Sequence, residues 1–138
     1  MKRLLIALVL AAAVAGTACA QQPQPDAAQE AWRTGLAYRN GTERQDKDAT
    51  EALKWLRRAA TLGKPEAMFI LAQMLAAGEG CEDKRADPKE ARRWLEAAAE
   101  EDYPEALQEL ALHEADPQRA ALLMKRAAHA LAHRAHEL

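Results

Sequence analysis

His129, His133 and His136 come nearest, by type and spacing, to residues that could do chemistry. At i, i+4 and i+7 they share one face of a helix, and such a face can offer two imidazoles to a metal ion. No carboxylate or cysteine stands at a matching interval. A turn of about 100° per residue also sets them opposite Ala120, Leu123, Ala127 and Leu131, so the face is expected to be solvated and to hold no metal. Basic side chains there suit the end of a helix, where the macrodipole is negative. Cys81 follows two glycines and precedes Glu82 and Asp83. Acidic neighbours raise a thiol's pKa, so Cys81 is expected to pack and not to attack. Glu79, Glu82, Asp83 and Asp87 lack the alternating spacing of a calcium loop and are interleaved with Lys84 and Arg85. Serine is absent from the chain, which excludes the serine hydrolases. No catalytic residue and no cofactor site are expected.

The elements around these residues read as all-α. The chain has 138 residues, 49% hydrophobic but only 4% aromatic, and Ala, Leu, Glu and Arg dominate it. Those are strong helix formers, and the β-branched and aromatic strand formers are scarce. Residues 1–20 carry a basic start, Lys2 and Arg3, then the apolar Leu4 to Ala15, then small residues to Ala20. That is the pattern of a secretory signal peptide, with Ala18-Cys19-Ala20 fitting cleavage after Ala20. Cys19 offers a second reading, as the lipidated first residue of a bacterial lipoprotein, preceded by Gly16-Thr17-Ala18. Both readings place the protein outside the cytoplasm, periplasmic or secreted, and the second ties it to a membrane. The formal net charge is −2. No basic stripe with interleaved aromatics marks a nucleic-acid partner.

Residues 21–25, Gln-Gln-Pro-Gln-Pro, read as an extended tether. Asp26 reads as the N-cap of the next helix, with Gln29 at the capping-box place, and Gly41 as its end. Asp48 with Glu51 starts a second helix. Pro65 opens a third, Asp87-Pro88 a fourth, Pro104 a fifth and Asp116-Pro117 a sixth.

Much of this occurs twice. Glu51, Ala52, Trp55, Leu56, Ala59, Ala60, Pro65 and Glu66 return as Glu90, Ala91, Trp94, Leu95, Ala98, Ala99, Pro104 and Glu105, at an offset of 39. Ala120, Leu123, Met124, Ala127 and Ala128 echo the series again at an offset of 29. A fixed period between about 20 and 50 residues is the mark of stacked repeats. Three helix pairs follow, 26–62, 65–101 and 104–136, forming one domain over 26–136. Trp55 and Trp94 stand central in apolar stripes and are expected in the core, shielded from water.

The run Arg58-Ala-Ala-Thr-Leu-Gly-Lys-Pro-Glu-Ala67, the Gly78-Glu-Gly80 loop and Lys89-Glu-Ala-Arg-Arg-Trp94 together resemble the Sel-one-like repeats, relatives of the tetratricopeptide repeats. Ala72 stands where that family has glycine, and Leu75 where it has tyrosine. The resemblance implies a right-handed α-solenoid that binds protein or peptide and has no chemistry of its own. A β-lactamase-like role, ascribed to some secreted members, is the rival reading. In a helix-pair solenoid the first helices of successive pairs line the concave side. Tyr38, Met68, Phe69, Gln73 and Gln108 lie on those helices and are the expected partner-binding residues.

One thiol is left if Cys19 is removed or lipidated, so Cys81 has nothing to pair with. Dithiothreitol should leave the melting temperature of the monomeric protein unchanged. A fall of several degrees in differential scanning calorimetry would expose a disulfide.

Overall fold

The computed structural model describes residues 25–136, which form six helices with no strand among them. They are α1 (Pro25–Asn40), α2 (Ala49–Thr61), α3 (Pro65–Ala77), α4 (Pro88–Glu100), α5 (Pro104–Leu112) and α6 (Pro117–His136). The leader, residues 21–24 of the tether and Cys19 lie outside the described residues. None of the described helices is long and apolar enough to cross a membrane.

Local chemistry accounts for the boundaries. Asp48 caps α2, accepting from the Thr50 and Glu51 N–H groups at 2.9 and 3.0 Å. Asp87 caps α4 through the Glu90 N–H at 2.9 Å. Proline occupies the first turn of α3, α4 and α5, where its missing N–H leaves nothing unpaired. α1 spans Pro25–Asn40, and the side chain of Asp26, expected as its cap, lies outside what is described. α3 ends at Gly78, whose φ of 72° is left-handed. A Cβ there would sit 2.6 Å from the Lys84 carbonyl, so only glycine lets the loop fold back so tightly. The same device ties both loops down. The N–H of Asp48 reaches the Tyr38 carbonyl, and that of Asp87 the Leu75 carbonyl, each at 2.9 Å.

Each helix packs on the one before it and the one after it. The seams are built from alanine. Ala52, Ala59, Ala67, Ala98 and Ala106 are fully excluded from water, and Leu56, Leu71, Met74, Leu75 and Leu107 fill the spaces between them. No polar or charged residue is buried among the described residues.

Two expectations are corrected here. Trp55 and Trp94 lie half-buried at the margin of the core. The centre of each stripe belongs to alanines that draw the helices too close to admit an indole between them. The Arg58 guanidinium lies 5.6 Å from the Trp55 ring, and Trp94 Nε1 donates to Glu90 at 3.2 Å. Leu131 was expected on the inner face of α6. It is 41% exposed, and Met124 is 48% exposed. The inner row runs instead through Ala120, Leu123, Ala127 and Ala130.

Arginines bind one unit to the next. Arg57 of α2 makes a two-pronged pair with Glu90 of α4. Arg126 of α6 donates to Asp102 at 2.6 Å and to the Ala99 carbonyl at 3.0 Å. The Arg57 guanidinium holds the Glu90 carboxyl below the usual carboxylate range, against the opposing effect of partial burial.

Leu71→Ala should cost about 2–5 kcal/mol in urea unfolding, as fully buried leucines do when truncated. A depressed carboxylate stabilises the fold above its unfolded pKa, and that contribution disappears as pH falls through the folded value. Stability should therefore decline on acidification below about pH 4.3, the ordinary glutamate value. Glu90→Gln should be less stable near neutrality and lose less on acidification. An unchanged slope of stability against pH would show that the pair carries none of it.

Candidate interaction cleft

The cleft arises because α6 is longer than its partner. α5 has 9 residues and α6 has 20. The last turns of α6 therefore run past the start of α5, where Arg134 meets Glu105. Between them and the first turn of α3 lies a cleft of about 520 Å³. Pro65 and Glu66 form one wall, the turn Glu101 to Pro104 forms the floor, and His129, Ala130, His133 and Arg134 form the other wall.

Its charges are arranged in layers. Arg134 grips Glu105 with two hydrogen bonds, 2.9 and 3.2 Å, and stacks 5.3 Å from the Tyr103 ring. That grip holds the Glu105 carboxyl below its ordinary range. Burial, helped by the Glu105 charge, pushes the Tyr103 hydroxyl up, so it stays a neutral donor. Glu66 Oε2 is shielded from water and has no hydrogen-bond donor, although Lys64 Nζ stands 3.3 Å away as an ion-pair partner. Lys64 in turn lies 5.8 Å from the Trp32 ring. His129 and His133 are exposed, with their Nε2 atoms 3.1 Å apart and rings edge to face. Two imidazoles would leave a tetrahedral ion half-coordinated by protein. No group of three or more histidines, cysteines or acids suited to a metal occurs among the described residues.

The structure separates the expected partner-binding residues. Phe69 is half-buried, its ring 5.4 Å from Tyr103 and tilted by 49°. Gln73, one turn further along α3, is exposed. Gln108 occupies on α5 the place that Phe69 has on α3, and it is half-buried. Tyr38 is half-buried against the core. Met68 is only 8% exposed and belongs to the core, which corrects its assignment to the surface. α3 is apolar nearly all round, so periodicity alone does not tell its inner side from its outer side. Cys81 is half-buried with a free thiol and packs against the core.

Sequence reasoning passed over Tyr103, Trp32, Glu66 and Leu112. Leu112 is 80% exposed and stands on α5 one period after Gln73. One signal was present for Tyr103. It precedes Pro104-Glu105 where the first unit has Lys64 before Pro65-Glu66, an aromatic exchanged for a cation at the mouth of the fold.

The Sel1 repeat model matches residues 31–64, 65–103 and 106–130. This chain belongs to the Sel1 repeat family. Among solved structures, a Sel1 repeat protein from Oxalobacter formigenes is 31% identical and superposes with a TM-score of 0.68. The match covers 78% of this chain and 46% of that one, so the chain spans a little under half the length of that protein. No curated protein matches. Sel1 repeats are in general protein–protein interaction modules, and α1, α3 and α5 are the first helices of the three Sel1 units.

The Glu105 carboxyl should titrate below the usual glutamate range by NMR, and Arg134→Ala should move it upward. An unmoved titration would mean that Arg134 does not hold this wall of the cleft.

Proposed function

We propose that this chain is an exported, non-enzymatic adaptor that holds a peptide segment of another protein against the cleft and the adjoining face of α3 and α5. One observation carries the reading: the Glu66 carboxylate, its Oε2 shielded from water and met by the Lys64 ammonium at 3.3 Å, stands at the cleft near the tilted ring pair of Phe69 and Tyr103. A carboxylate with one cationic partner keeps accepting capacity for an incoming N–H or ammonium group, and a hydrogen bond to a charged group is worth about 1.5–3 kcal/mol. The rings supply apolar area beside it. An extended segment with a cationic or backbone donor next to a hydrophobic residue fits both demands. Gln73 and Leu112 extend the surface along the first helices.

The family supports binding over catalysis, and so does the chemistry. The chain has no serine, and among the described residues the two close imidazoles of His129 and His133 hydrogen-bond each other. A chromogenic β-lactam should remain intact with the purified protein, and turnover would establish the enzymatic reading. The N-terminal pattern supports export. Its second reading, a lipid on Cys19, makes the protein an envelope scaffold held at a membrane, and intact-mass measurement of the protein from producing cells separates the two.

Panning the purified protein against a displayed library of random peptides tests the binding face. Enriched peptides should share a basic residue beside an apolar one. Phe69→Glu and Glu66→Gln should keep their helicity by circular dichroism and lose that enrichment. Peptides that bind both variants as well as the parent would remove this face from consideration.

A further inference from the structure

Helical spacing puts His129 and His133 on one face of α6, and the structure adds how far apart their ring nitrogens lie. The two Nε2 atoms are 3.1 Å apart, with the rings edge to face and their centroids separated by 4.4 Å. Two nitrogens bound to one ion, each about 2.0–2.1 Å from it and between a right angle and a tetrahedral angle apart, are about 2.8–3.4 Å from each other. The pair already stands at the separation of two ligands on a single ion. At 3.1 Å one ring donates its Nε2–H to the lone pair of the other. Both rings are exposed, so the donating ring exchanges that proton through water to its own Nδ1. Both Nε2 lone pairs are then free, and neutral imidazole is the form in which histidine binds metals.

We propose that His129 and His133 form a two-point chelate for a late first-row divalent cation, Cu²⁺ before all others, on the α6 wall of the cleft. Donor chemistry selects the ion. Calcium and magnesium demand oxygen ligands, whereas imidazole suits copper, nickel and zinc. Two nitrogens leave a tetrahedral zinc half-coordinated, but a tetragonal Cu²⁺ takes them as neighbours in its plane and fills the other positions with water. Cu²⁺ also stands highest in the affinity order for such donors. The charges lining the cleft permit it. Arg134 is held by Glu105, Asp102 by Arg126 and Glu66 by Lys64. Glu101, from the turn between α4 and α5, lines the same cleft and is in no ion pair among the described residues. It supplies negative charge that α6 itself lacks. Among the described residues no third protein ligand completes the set, so the ion exchanges readily and the fold does not depend on it. An ion that bridges residues four apart closes one turn of helix. It therefore binds the folded α6 and fastens the turns that overhang α5. The site needs no bound peptide and stands apart from the peptide surface.

Calorimetric titration of the untagged full chain with Cu²⁺ tests this, alongside electron paramagnetic resonance to count the coordinating nitrogens. The expected result is one ion per chain, with two nitrogens in its plane. His129→Ala and His133→Ala should each keep their helicity and weaken binding by about tenfold or more, because the second ligand acts at high effective concentration. His136→Ala should bind as the parent does. So should Phe69→Glu, the variant that removes the peptide surface, and the two readings thus stand or fall separately. A titration with no saturable binding at one ion per chain would overturn the proposal. Unchanged affinity in both His129→Ala and His133→Ala would overturn it equally, by placing the ion elsewhere.

Discussion

Close approach of helices through fully buried alanines is the constraint on which this small array depends. A chain of three short helix pairs has few large side chains to bury, and its core contains none of its tryptophans. What it has is Ala52, Ala59, Ala67, Ala98 and Ala106 at the seams, each wholly excluded from water. Small contact residues shorten the distance between axes, and the gain comes from many weak dispersion contacts rather than from a few large burials. The indoles of Trp55 and Trp94 are displaced to the margin by the same closeness, where they meet arginine and glutamate. The consequence reaches function, because a tightly stacked spine leaves half-buried aromatics on its outer faces.

The cleft follows from unequal lengths within that spine. α6 outruns α5, and the overhang would be an unsupported end without Arg126 and Arg134, which fasten it to the preceding turn and to the start of α5. Surface pairs of this kind contribute little each, on the order of 0–1 kcal/mol. Their role here is geometric. They fix the α6 wall of the cleft against Tyr103, opposite Glu66 and its Lys64 partner.

The helices were legible in the sequence because their ends are written locally. Asp48, Asp87 and the prolines at 65, 88 and 104 each act within one turn, and the offset of 39 carries the same signals twice. Depth was less legible. A wheel gives the direction of Trp94 but not the separation of the helices beside it, and that separation is set by alanines on other elements. Met68 was misplaced for a related reason, since α3 is apolar on nearly every side. Leu131 was misplaced because the inner row of α6 turns toward Ala130, a choice made by its contacts with α5. Tyr103 and Glu66 stayed hidden because their partners are remote in sequence. Nothing near residue 66 announces the arrival of residues 129–134.

The alanine seam itself is open to one direct test, guanidinium unfolding of Ala98→Leu. Ala98 is 0% exposed and holds in the second unit the place that Ala59 holds in the first. With the helices in contact there, the added carbons have no room, and stability should fall by about 1–3 kcal/mol in a single cooperative transition. Equal or greater stability in Ala98→Leu would mean that the seam contains space for a larger side chain, and it would contradict the close stacking from which the rest of the account is derived.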